Sequence, residues 1–294
     1  MRVLVSGSEG LIGKCFRARI MRNGVDAPGF DLRGAVPEDI RNREQLRAAL
    51  AAVDGVVHLA AVSRVVDGEN DPAHCWAVNV EALDGLIREM LDLRTPPWLV
   101  FASSREVYGR VTSLPVPETA PPAPVNVYAR SKAEGERLVT EARAAGLCAN
   151  IGRFATVYGS AEDHADRLIP AFARAAALGG ELRIDGAETT IDATHVDDVA
   201  DGLERLMIAT SRQEVLPTVH FASGVGTTVA DLAALAQSVS TRIVTTRSEG
   251  ARSHDVGKFV GDPARCQALL GWSYRTSLKD GFTRLVRDFE TAAV

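Results

Sequence analysis

The chain has 294 residues, a formal net charge of −5, 46% hydrophobic residues and 24% charged ones. That length holds one large α/β domain, alone or with a smaller cap, and the composition is that of a soluble globular protein. An acidic balance without a basic run argues against a nucleic-acid partner, and no apolar run approaches the roughly 20 residues of a membrane span.

Residues 3–5 read as a first strand, and the run Val3-Leu4-Val5-Ser6-Gly7 reaches glycine too soon for the apolar region of a signal peptide. Cytoplasm is the default location. A helix from about residue 11 continues its apolar face at Phe16 and Ile20. Between strand and helix lie Gly7, Gly10 and Gly13, a spacing tighter than G-x-G-x-x-G. Glycine lets backbone amides approach a pyrophosphate, and the helix N-terminus at Leu11 and Ile12 supplies donors and partial positive charge. The second strand, 27–30, delivers Asp31. A carboxylate there accepts from the hydroxyls of an adenosine ribose and repels a 2′-phosphate, favouring NAD; Arg33 leaves NADP possible.

Strand 56–60, a helix around 79–93, strand 99–102 and strand 149–152 continue the alternation, which argues for a doubly wound parallel sheet with helices on both faces. Strand 99–102 leads into Ser103-Ser104. The proline-rich passage 115–124 is either a stiff loop delivering the next helix or a ligand for a polyproline-binding partner. That helix carries Tyr128-x-x-x-Lys132, a phenol and an ammonium on one face, one turn apart. Tyrosine ionises at about pH 10, and the lysine charge is expected to lower that value so that the phenol serves as a base near neutrality.

Beyond residue 153 the rhythm loosens: a helix at 169–177, strands at 182–184 and 219–222, a helix at 229–238, a strand at 242–245, a charged loop and two helices ending near 289. These excursions are expected to form a smaller C-terminal α/β cap. The division is residues 1–152 with about 186–224 for the sheet domain, and about 153–185 with 225–294 for the cap. Four scattered cysteines and six histidines show no metal-binding spacing, so the cysteines read as buried reduced thiols and His58 and His195 as structural hydrogen-bonders. Asp197 and Asp198 read as caps of a following helix.

Taken in order, Gly7-x-x-Gly10-x-x-Gly13, Asp31, Asp39-Ile40, His58-Leu59-Ala60-Ala61, Asn79-Val80, Ser103 through Gly109, Tyr128-x-x-x-Lys132, Arg153 through Gly159, His195 through Ala200 and Leu270-Gly271-Trp272 resemble the extended short-chain dehydrogenase/reductases. Within them the chain is similar, over nearly its whole length, to the nucleotide-sugar epimerase and dehydratase group. The resemblance implies a Rossmann fold with a substrate-binding cap, NAD, a homodimer joined through the 79–93 and Tyr128 helices, and a sugar or nucleotide-sugar substrate. It also implies Ser104 polarising the reacting oxygen, Tyr128 as acid/base, and Lys132 lowering its pKa and binding the nicotinamide ribose. Asp39 and Ile40 would flank the adenine, Leu59, Ala60 and Ala61 would run beside the cofactor with Ser103, and Asn79 would support the active-site loop.

Glu106 stands where dehydratases and decarboxylases of the group have a glutamate, but Arg105 replaces their aspartate, so a salt bridge between these neighbours competes with a chemical role. On the substrate side, Thr156 replaces an asparagine, Ile191 replaces one diphosphate-binding arginine, and Arg252 matches the second. The expected function is epimerisation of a nucleotide sugar. The alternatives are a dehydratase or decarboxylase using Glu106, a dehydrogenase or reductase of a small non-nucleotide hydroxy compound, and a non-catalytic dinucleotide-binding regulator.

Overall fold

The computed structural model describes residues 1–249 and 257–292. Strand β1 (Val3–Ser6) is buried along its whole length, as suits a strand covered on both faces. It lies between β2 (Gly29–Phe30) and β3 (Gly55–His58). The sheet continues through β4 (Trp98–Ser104), β5 (Ala149–Phe154) and a returning strand, Val219–Phe221. All five pairings are parallel. The strand order reverses between β1 and β3, the switch point where such sheets open a crevice at their C-terminal ends.

Alternation along β1 sorts two cores. Val3 and Val5 join Phe16 and Ile20 of α1 (Leu11–Arg22) on one face. Leu4 points to the other, where it meets Leu46 and Leu50 of α2 (Arg43–Leu50). Two short helices, α3 (Val65–Asn70) and α4 (Pro72–Trp76), lead through a π-helical turn at Ala77–Glu81 into α5 (Ala82–Leu91), so the helix expected at 79–93 opens on a wider turn. Next comes α6 (Val127–Ala144), capped by Asn126, whose Oδ1 accepts from Ala129 N at 2.8 Å. Gly135 lets α6 close onto β4, because a Cβ there would lie 2.5 Å from the Phe101 ring.

After β6 (Thr156–Tyr158) the chain builds a second body: α7 (Leu168–Leu178), β7 (Gly180–Asp185) and β8 (Thr190–His195). Then α8 (Val196–Ser211) packs back on the large sheet, and the returning strand is β9. β10 (Gly226–Thr228), α9 (Val229–Val239), β11 (Val244–Glu249), α10 (Ala264–Leu270) and α11 (Leu278–Ala292) follow. β10, β8 and β6 form one small sheet, β11 and β7 another. Phe172, Leu182, Leu232 and Phe282 fill their own core.

β8 is not among the expected strands because its sequence, Thr-Ile-Asp-Ala-Thr-His, hides its burial. Asp192 is fully buried, and its carboxylate accepts from Ser223 N and Oγ, Gly224 N and Gly261 N. The expected caps of α8 are corrected. His195 Nδ1 accepts from Asp197 N at 3.2 Å and is the cap, while Asp198 Oδ2 accepts from the backbone of Arg275 and Thr276. Asp197 and Asp198 still stand in the first turn, where negative charge suits the helix dipole.

Candidate active site

A cavity of about 1420 Å³ runs along the C-terminal edge of the large sheet. At one end is the glycine turn. Gly7 has φ +73°, and a Cβ there would lie 2.6 Å from Ala60 N. A Cβ on Gly13 would lie 2.1 Å from Gly7 O, so this turn requires glycine to let α1 start beside β1. No side chain caps α1 at Gly10 and its first turn has no acidic residue, which leaves its donors to an anion in the cavity that Gly10, Leu11 and Ile12 line.

Asp31 follows β2. Its Oδ2 accepts from Glu9 N at 3.0 Å and its Oδ1 from Arg33 N at 2.9 Å, which aims the carboxylate and leaves lone pairs for ligand hydroxyls. Arg33 is exposed, with Nε 3.5 Å from Asp31 Oδ1. Asp39 and Ile40 line the same end. The Arg41 guanidinium holds the Asp39 carboxyl below the usual carboxylate range. Leu59, Ala60 and Ala61 form the adjoining wall. Asn79 lies behind that wall: its Oδ1 accepts from Val62 N at 2.8 Å, and its Nδ2 donates to Val62 O and Ser131 Oγ. These residues can therefore hold a dinucleotide.

At the other end, Ser104, Glu106, Tyr128 and Lys132 converge, with Ser103, Arg105 and Thr156 also on the wall. The Ser104 hydroxyl lies near enough to Tyr128 to favour its phenolate. Ser104 Oγ also accepts from Glu106 N at 3.2 Å and so caps the 3₁₀ turn Arg105–Tyr108. The expected lowering of the Tyr128 pKa is overturned in the free protein. Burial pushes the phenol up to about 12, the nearby Ser104 hydroxyl opposing. Lys132 Nζ donates to Ala102 O at 2.8 Å and lies 5.1 Å from the Phe101 ring, so its charge is directed at β4. Burial pulls Lys132 down to about 8.

Glu106 has both oxygens engaged. Arg105 Nη2 lies 2.9 Å from Oε1, and Asn126 Nδ2 donates to Oε2 at 3.2 Å. Of the substrate-side positions, Thr156 meets the cavity, while Ile191, which replaces an arginine of the family, is buried in the core of the second body. Arg252 lies outside the described residues. Sequence reasoning missed Asn126, although an asparagine just before a helix is a cap signal. It also missed Arg167, which lines the cavity, donates to Ser63 Oγ at 2.8 Å and favours the Tyr128 phenolate. No local pattern marks that residue.

Among the described residues no group of His, Cys, Asp or Glu could hold a metal ion, and no helix is long and apolar enough to cross a membrane. The model of the NAD dependent epimerase/dehydratase family matches residues 3–217. A UDP-glucose 4-epimerase from Lactobacillus helveticus is 28% identical, with 92% of each chain covered. A GDP-6-deoxy-D-talose 4-dehydrogenase from Aggregatibacter actinomycetemcomitans is 26% identical over 94% of this chain and 93% of the relative. The structure of MoeE5 in complex with UDP-glucose and NAD superposes with a TM-score of 0.92 at 25% identity, with both chains fully covered.

Proposed function

Because the chain belongs to the NAD dependent epimerase/dehydratase family, we propose that it is a nucleotide-sugar epimerase that inverts one sugar hydroxyl through a transient ketone. The observation that carries this reading is the convergence of Ser104, Tyr128 and, one turn on, Lys132 in the same cavity as an uncapped glycine turn. NAD is the cofactor: Gly7, Gly10, Leu11, Ile12 and Gly13 cradle its pyrophosphate, and Asp31 receives its ribose. Arg33, resting against Asp31, keeps NADP open to test.

Bound NAD supplies a hydride acceptor and, when oxidised, a positive charge that favours the phenolate. Tyr128 Oη takes the proton of the reacting hydroxyl and returns it, while Ser104 Oγ holds that oxygen as charge develops on it. Lys132 orients the ribose. Glu106, with both oxygens engaged and an arginine where a dehydratase has its acid, is poorly placed to move a proton. That speaks against elimination, and an assembled Ser104, Tyr128 and Lys132 speaks against a mere regulator.

A second reading, net dehydrogenation, is supported by the talose dehydrogenase relative and by Ile191, which brings no charge to a diphosphate. The deciding experiment incubates the protein with NAD and, separately, UDP-glucose, GDP-linked 6-deoxyhexoses and free sugar acids, with mass and NMR analysis of products. An inverted sugar without net NADH supports the epimerase. Accumulating NADH with a ketosugar selects the dehydrogenase, and no turnover of any of these removes the first reading. We further propose a cytoplasmic homodimer joined through α5 and α6; a monomer by light scattering at micromolar concentration would reject it.

A further inference from the structure

Behind the catalytic end lies a buried polar chain to which the mechanism above assigns no part. Glu136 stands on α6 one turn beyond Lys132 and is 9% exposed. Its Oε1 accepts from Ser103 Oγ at 2.5 Å and from Arg153 Nε at 2.7 Å, and its Oε2 from Arg153 Nη2 at 2.5 Å. Arg153, on β5 and 6% exposed, donates through Nη1 to Tyr108 Oη and to Glu118 O. Tyr108 Oη, already an acceptor, is also hydrogen-bonded to His220 Nε2 at 2.5 Å. The chain thus joins α6, the end of β4, β5 and β9.

A buried, bidentate Arg–carboxylate pair is costly to desolvate and is weak evidence for stability, so its location is what needs explaining. Ser103 is covalently next to Ser104. The carboxylate of Glu136 and the ammonium of Lys132 share one face of α6 and attract each other across it. Resting on the function proposed above, we infer that Glu136 is a positioning residue of the reaction. It pins the strand that carries Ser104 to the helix that carries Tyr128 and Lys132, and holds a negative charge toward the Lys132 ammonium.

The groups around Lys132 define what its titration reports. They are Cys75 on α4, Asn79 and Ser131 behind it, His58 on β3, and Tyr128 and Glu136 on its own helix. His58 is kept neutral by burial. Among these, Cys75 and Glu136 act to keep Lys132 protonated. Burial pushes the Cys75 thiol up, so it stays protonated near neutrality and Glu136 is the charge present there. Removing that charge moves the Lys132 titration to lower pH, and the alkaline limb of activity, which requires the ammonium, moves with it.

The chain has four lysines, Lys14, Lys132, Lys258 and Lys279, so protein labelled with [¹³C]lysine gives four ε-methylene signals, with Lys132 assigned through Lys132→Arg. In Glu136→Gln the Lys132 signal is expected to titrate at lower pH than in the parent, and in Glu136→Asp to stay near it. Ser103→Ala, which breaks the tether and leaves both charges, is expected to lower kcat several-fold with KM and the Lys132 titration unchanged. If Glu136→Gln fails to fold, Ser103→Ala and Glu136→Asp carry the test. An unmoved Lys132 titration in folded Glu136→Gln, or parental kcat in Ser103→Ala, overturns the inference. If the parent turns over no sugar, the proposed function fails while the lysine titration still decides the electrostatic half.

Discussion

Tyr128 shows why a candidate catalytic residue is named more easily than its state. Its spacing from Lys132 is written in the chain, but burial of the phenol and the turn of the ammonium toward Ala102 O depend on how tightly α6 closes on β4. The free protein therefore holds a neutral phenol, and under the proposed function the base forms when the positive charge of the cofactor enters the site. Tyr128→Phe removes the proton carrier without changing the ring's packing. It is expected to cut turnover by about 10²–10⁴-fold with the melting temperature unchanged; activity within tenfold of the parent would disprove the assignment. His58 and His220 make a complementary case. Burial pulls each down to about 3, from an ordinary value of about 6.5. Between those values the unfolded chain binds more protons than the folded one, so stability falls as pH drops from about 6.5 toward 3. Thermal melts from pH 7 to pH 4.5 should show this fall, less steeply in His58→Asn; a parent melting temperature flat over that range would mean that these rings are not buried neutral.

At the scale of elements, what could be read from the chain is what repeats locally. The parallel alternation, the strand before Ser103-Ser104 and the glycine turn follow from apolar periodicity and backbone demands that neighbours impose. β8 and the polar chain through Arg153 do not, because Asp192 and Glu136 look like surface residues until partners distant in sequence, at 223, 261, 103 and 153, fold against them. The 3₁₀ turn after β4 illustrates both sides. Glu106 was visible as a candidate acid, whereas its engagement by Asn126, twenty residues on, was not. Asn126 links two elements, capping α6 and steadying that turn. Asn126→Ala should cost about 1 kcal/mol through the lost cap, and Asn126→Ser should recover most of it while leaving the Glu106 contact broken. Urea melts measure both; a serine variant as unstable as the alanine variant would mean that the cap is not what Asn126 contributes.

For the whole molecule, the question is whether the second body is a passenger of the large sheet or a unit of its own. Its core, with Phe282 at 0% exposure, is distinct from the two cores that sandwich the large sheet. α8 links the two bodies, because it enters from β8 and buries its apolar face with Phe16 and Val100. If the bodies divide the labour, with the dinucleotide on the sheet and the sugar under the cap, then damage confined to the second core should fall on the sugar alone. Phe282→Ala should cost about 3–5 kcal/mol of local stability by leaving a cavity. Below the temperature at which that body loosens, NAD affinity by calorimetry should match the parent while KM for the nucleotide sugar rises. Equal loss of both would mean that the chain folds as one cooperative unit, and that the boundary between sheet domain and cap is one of shape without energetic meaning.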